Sequence, residues 1–180
     1  MAGKNLPTHA VHKMHQQLLL VWHSRTGAAR QMAAAAAEGI EAIACELQAQ
    51  DRLRLSVLDA SEAQPQHVLA AQGYLFCAPE NLGTVSGSMK EFFDRCYYPA
   101  LDQLNGRPYG LMVAAGSDGS GAVRQVERIC TGWRLNAIAP ALIVHTNAQT
   151  PEDILAPKVI SEDDRQACYT LGGTLAALVL

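Results

Sequence analysis

A chain of 180 residues with 49% hydrophobic and 17% charged side chains and a net charge of -3 can fill one core and is too apolar for a disordered protein. Its 14 basic residues are scattered among 17 acidic ones, which argues against the basic stripe of a nucleic-acid binder. Apolar runs such as Leu18 to Trp22 and Leu75 to Ala78 fall far short of the roughly 20 residues of a bilayer-spanning helix, so no membrane span is expected.

Met1 to Gln16 is polar and contains Pro7, with His9, His12 and His15 spaced three apart. No Cys or carboxylate completes a ligand set nearby, so the segment reads as a flexible tail and no metal site is assigned. The remainder, 17–180, reads as one domain. Gln17 to Trp22 is a short apolar run that predicts a strand covered on both faces. Ala28 to Leu47 follows as a helix, stacking Met32, Ala36, Ile40 and Ile43 on one side. Arg52 to Leu58 alternates as a half-covered strand, and Ser61 to Gln72 predicts a short helix weakened by Pro65.

Gly73 to Ala78 is a second fully apolar strand, and Ser88 to Leu104 a helix carrying Met89, Phe92, Phe93 and Cys96. Further strands are expected at Tyr109 to Ala115 and Ala141 to Thr146, and helices at Gly121 to Trp133 and Ser161 to Val179. Asn147 to Lys158, with Pro151 and Pro157, reads as a surface loop. Five strands alternating with five helices predict a doubly wound α/β fold, because parallel neighbours need right-handed crossovers that place helices on both faces. At this size the order 2-1-3-4-5 fits, with a ligand outside the carboxyl ends of strands 1 and 3.

Five cysteines, Cys45, Cys77, Cys96, Cys130 and Cys168, without a CxxC pair or an evident secretory leader, predict reduced thiols in a cytoplasmic protein. Cys45 and Cys77 are expected in the core.

Three loops fall on the predicted ligand edge. His23-Ser24-Arg25-Thr26-Gly27-Ala28 offers converging backbone amides, two hydroxyls and a helix N-terminus, a suitable cradle for a phosphate dianion; a simple helix cap is the competing reading. Pro79 to Ser88 is a ten-residue connection in which Gly83 and Gly87 let backbone approach a flat ligand; a mobile surface loop is the alternative. Gly116-Ser-Asp-Gly-Ser-Gly121 is again small and polar. Three such loops on one edge favour a binding site over chance.

The run Ser24-x-Thr26-Gly27 before a helix resembles the phosphate-binding loop of the flavodoxin family, with Ala28 and Ala29 where that family has Asn and Thr. Pro79-Glu80-Asn81-x-Gly83, with Ser86-Gly87-x-Met89-Lys90 and Asp94-Arg95, resembles NAD(P)H-dependent FMN reductases and related quinone reductases. The resemblance covers about Gln17 to Leu180 and implies a flavodoxin-like three-layer sandwich with a five-stranded parallel sheet, order 2-1-3-4-5. It further implies FMN, its phosphate among Ser24, Arg25, Thr26, Gly27, Ala28 and Ala29. The ring would lie beside Pro79, Glu80, Asn81, Leu82 and Gly83, with Gly116, Ser117, Asp118 and Gly119 closing the pocket. Arg25 or Arg30 would compensate for the missing Asn and Thr side chains.

The function implied is electron transfer from NADH or NADPH through FMN to a quinone, a flavin or a similar small acceptor. The alternative is a flavodoxin-type electron carrier without nicotinamide reductase activity. Such carriers are strongly acidic and shield the flavin with aromatics, and neither feature is present: Pro79 to Ser88 holds no Trp, Tyr or Phe. No catalytic residue is assigned; Asp118, Glu80 and His145 read as scaffolding, since the flavin supplies the redox chemistry. Relatives of this kind suggest a homodimer or homotetramer, with Met89 to Leu104 and the Asn147 to Lys158 loop at the contact.

Overall fold

The computed structural model describes residues 15–180; most of the expected tail, including His9 and His12, lies outside the described residues. Seven strands and six helices follow one another. They are β1 (Gln16–Trp22), α1 (Ala28–Glu46), β2 (Leu53–Asp59), α2 (Pro65–Ala70), β3 (Gly73–Asn81), β4 (Thr84–Val85) and α3 (Gly87–Ala100). Then come β5 (Pro108–Ala115), α4 (Ser120–Gly132), β6 (Asn136–Ala137), β7 (Leu142–His145), α5 (Pro151–Leu155) and α6 (Glu162–Val179).

The sheet is parallel in the order β2-β1-β3-β5, completed beyond β5 by β6 and β7. This is the expected order, with the fifth strand broken in two. β6 pairs at the start of β5 (Pro108↔Asn136) and β7 at its end (Met112↔Leu142). Pro140 stands in the break, where a ring without an N–H cannot serve a ladder.

Alternation along the strands divides the core. Leu18 and Leu20 point with Leu75, Cys77 and Met112 toward α1 and α6, while Leu19, Val21, Tyr74 and Phe76 point toward α2, α3 and α4. The α1–α6 contact is backbone on backbone: a Cβ on Gly39 would stand 2.0 Å from the Tyr169 carbonyl oxygen, and one on Gly172 2.0 Å from that of Ala36. On the other face an aromatic cluster joins Phe76, Phe93 and Trp133, with Phe76 and Phe93 centroids 5.1 Å apart.

Several boundaries differ from expectation for physical reasons. Pro65 sits at the first position of α2, where its missing N–H costs nothing, so it starts the helix and does not weaken it. The ten-residue connection after β3 is a hairpin: β3 runs on to Asn81, turns through Leu82 and Gly83, and returns as β4. Both turn residues have positive φ, 53° and 75°, as a two-residue hairpin turn requires. The expected loop at 147–158 contains α5, started by Thr150, whose Oγ1 accepts from Asp153 N at 3.1 Å. Cys45 is exposed, contrary to expectation, while the other four cysteines are buried.

Candidate functional site

The first loop is built by its own side chains. Ser24 Oγ accepts from Gly27 N at 3.1 Å, and Gly27, with φ 100°, turns the chain directly into α1. A side chain is strained at that φ. Ser24 therefore folds the loop and does not cap the helix, and the N–H groups of Ala28, Ala29 and Arg30 keep no acceptor among the described residues. The Ala28 and Ala29 side chains are buried against β1 and β3, so these residues offer backbone alone. Arg25 and Arg30 are exposed and form no ion pair among the described residues.

A cavity of about 350 Å³ opens here, lined by Trp22, Ser24, Arg25, Thr26, Arg30 and Pro157 among others. Its far wall is a strap leading from α5 to α6. Lys158 N donates to Thr26 O at 2.7 Å, and Gln31 Nε2 reaches both Gly27 O at 3.0 Å and Lys158 O at 2.6 Å. Gln31 Oε1 accepts from Ile160 N at 3.3 Å. The Lys158 ammonium is used within the strap, donating to Ala156 O at 2.7 Å and to the carbonyl of Asp153.

The second and third loops adjoin this cavity along the sheet edge without lining it. Glu80, grouped by sequence with the ligand-binding residues, turns toward the third loop: its Oε2 accepts from Gly119 N and its Oε1 from Ala122 N at 3.3 Å. Pro79 and Asn81 are half-buried, and Leu82 is fully exposed at the hairpin tip. Gly119 is buried with φ 81°, while Ser117 and Asp118 are exposed and Gly116 half-buried. Ser120 Oγ donates to the Asp118 carboxylate, and His145 Nε2 donates to the Asp118 carbonyl at 3.2 Å.

One link between the first two loops is absent from the sequence reading. His23 Nδ1 and the hydroxyl of fully buried Ser86 share a hydrogen bond at 2.9 Å, and His23 N donates to Cys77 O at 3.0 Å. His23 stands beside Ser24 at the end of an apolar strand, which was the available signal. Ser86 was visible only as part of the Ser86-Gly87-x-Met89-Lys90 stretch, and Gln31 carried no signal.

Within the expected contact segment, Met89 to Leu104, the aromatic residues divide. Tyr97 stacks on Trp133 with centroids 5.9 Å apart, whereas Tyr98 is 79% exposed and Leu101 39%. Among the described residues no group of His, Cys, Asp and Glu side chains is arranged to hold a metal, and no helix is long and apolar enough to cross a membrane.

The sheet order, with its three small-residue loops on the carboxyl edge, defines a flavodoxin-like fold. The chain belongs to the NADPH-dependent FMN reductase family, whose model matches residues 22–149, and it is accordingly a flavoprotein oxidoreductase. It is 27% identical over 172 residues to a flavodoxin of Aquifex aeolicus (strain VF5), an overlap of 91% of this chain and 86% of that one. A flavodoxin from the domain Archaea superposes with a TM-score of 0.70 at 16% identity, covering 91% of this chain and 99% of the other. A WrbA-like flavodoxin of Agrobacterium tumefaciens gives 0.69 at 18% identity, with 91% and 97% covered. At these identities the two structures speak for the fold.

Proposed function

We propose that the chain holds FMN with its phosphate on the first loop and passes electrons from NADH or NADPH to a quinone, a free flavin or a similar small acceptor. The observation that carries this reading is the open N-terminus of α1, whose free amides share one cavity with Arg25 and Arg30. A phosphate dianion fits that donor set: amides and helix dipole act at close range, and two guanidinium groups without carboxylate partners among the described residues complete the charge balance. Thr26, half-buried at the cavity wall, adds a hydroxyl. Bound FMN would supply the two-electron redox chemistry.

The chain's own residues orient the ligands. Pro79 to Gly83 and Gly116 to Gly119 would receive the ring, with exposed Leu82 as the only large apolar side chain of the hairpin tip. With no aromatic on that hairpin, a nicotinamide has room to stack at a productive distance. His23, tied to Ser86, fixes the spacing between the phosphate end and the ring end.

A cytoplasmic setting belongs to the same proposal, supported by five unpaired thiols. So does self-association through α3, supported by exposed Tyr98 and Leu101. The Aquifex flavodoxin relative favours a second reading, an electron carrier. Titration of the apoprotein with FMN and riboflavin tests the phosphate assignment: FMN should bind at least about tenfold more tightly, the worth of one charge-assisted hydrogen bond. Equal affinities would remove the phosphate from the first loop.

A further inference from the structure

Two helices open onto the ligand edge behind a left-handed glycine and without a side-chain cap from their own segment: α1 after Gly27 and α4 after Gly119. They are treated oppositely. The N–H groups of Ala28, Ala29 and Arg30 at the start of α1 keep no acceptor among the described residues, while at the start of α4 two N–H groups are occupied from the neighbouring hairpin by the oxygens of Glu80, which accept from Gly119 N and Ala122 N. The junction is tight elsewhere too. A Cβ on Gly121 would lie 2.0 Å from the Gly83 carbonyl oxygen and 2.8 Å from Glu80 Oε1. Gln125 Oε1 accepts from Val85 N at 2.9 Å, and Ser86 N donates to Pro79 O at 3.0 Å.

We infer that Glu80 is a positioning residue which fills the anion-attracting end of α4 with the protein's own carboxylate, joins the second and third loops into one rigid platform for the flavin ring, and leaves α1 as the phosphate end. The inference rests on the FMN reading above. A carboxylate seated on helix amides neutralises the positive end of the dipole and removes two donors from competition for the phosphate. It also places a fixed negative charge beside the ring platform.

The test uses full-length Glu80→Gln and Glu80→Ala proteins, with folding checked by circular dichroism. Dissociation constants for FMN and for riboflavin and the midpoint potential of bound FMN are measured in each. Glu80→Ala should weaken both ligands by about tenfold, the worth of a charge-assisted hydrogen bond, with their ratio unchanged because the phosphate end is untouched. Glu80→Gln, which is isosteric and keeps one acceptor, should lose less affinity and restore most of the ring binding. Both substitutions should move the midpoint potential in the positive direction, because removing a negative charge favours the reduced cofactor; a role confined to holding the fold would leave the potential unchanged. If Glu80→Ala does not fold, the potential and the ratio in Glu80→Gln decide. Unaltered constants and potential, or a loss confined to FMN, would overturn the inference while the FMN reading stands. A wild-type protein that binds neither flavin would overturn both.

Discussion

The side-chain amide of Gln31 donates to the carbonyl of Lys158 at 2.6 Å, joining the second turn of α1 to a strap 127 positions further along the chain. The same nitrogen reaches Gly27 O, so one side chain holds the strap against the first loop. Gln31→Ala should lower stability by about 1–2 kcal/mol, the worth of hydrogen bonds lost in a partly buried setting. It should also weaken FMN more than riboflavin, since the strap walls the cavity proposed for the phosphate. Urea denaturation and paired flavin titrations read the two effects.

Gly27→Val should remove the preference for FMN over riboflavin while the sheet remains folded. The reason is conformational. A Cβ at Gly27 would meet Lys158 O at 3.6 Å and Gln31 Nε2 at 3.8 Å, ordinary contacts, whereas the φ of 100° is one a β-branched residue strongly resists. The turn that aims the α1 amides would therefore open. Retained discrimination in the folded variant would detach the phosphate from this loop.

Gly121→Ala should destabilise the protein by about 1–3 kcal/mol, as overpacking does, because its methyl would overlap the Gly83 carbonyl at 2.0 Å. Gly87→Ala is the control: a Cβ there meets nothing within 4 Å, so its stability should stay within about 0.5 kcal/mol of the parent. Chemical denaturation of the two variants compares them directly.

The buried thiols give a pH dependence with a fixed sign. Burial pushes Cys96 up to about 11 and Cys168 up to about 12, against an ordinary value of 9.0, and raises Cys77 and Cys130 as well. Below pH 9.0 these thiols are neutral in the folded and unfolded chains alike, and their contribution is fully present. As pH rises from 9.0 through about 12 the unfolded chain releases protons that the fold retains, so stability falls. A thiol reagent at neutral pH should accordingly modify Cys45 quickly and the four buried cysteines only after denaturation.

The architecture was legible wherever burial leaves a compositional trace. Leu18 to Val21 and Tyr74 to Ala78 are buried on both faces and read as unbroken apolar runs, which is why the strand positions followed from the sequence, while their order came from the flavodoxin-like resemblance. The hairpin was not legible, because Pro79, Glu80 and Asn81 lack strand-forming side chains and Leu82 is not a residue that announces a left-handed turn. The loops of the candidate site were visible as small-residue clusters, but the direction of Glu80 depends on a partner 39 positions away. The fifth strand appeared only in its second half, since Asn136–Ala137 is too short to carry a pattern.

The most direct test of the account is anaerobic mixing of the FMN-loaded protein with excess NADH and, separately, NADPH, followed by the visible absorbance of the flavin. The account predicts that at least one nicotinamide bleaches the absorbance and that adding a quinone or free flavin restores it, in alternating half-reactions through one site. If neither nicotinamide bleaches the flavin while dithionite does, the protein is a carrier and the reductase assignment is wrong.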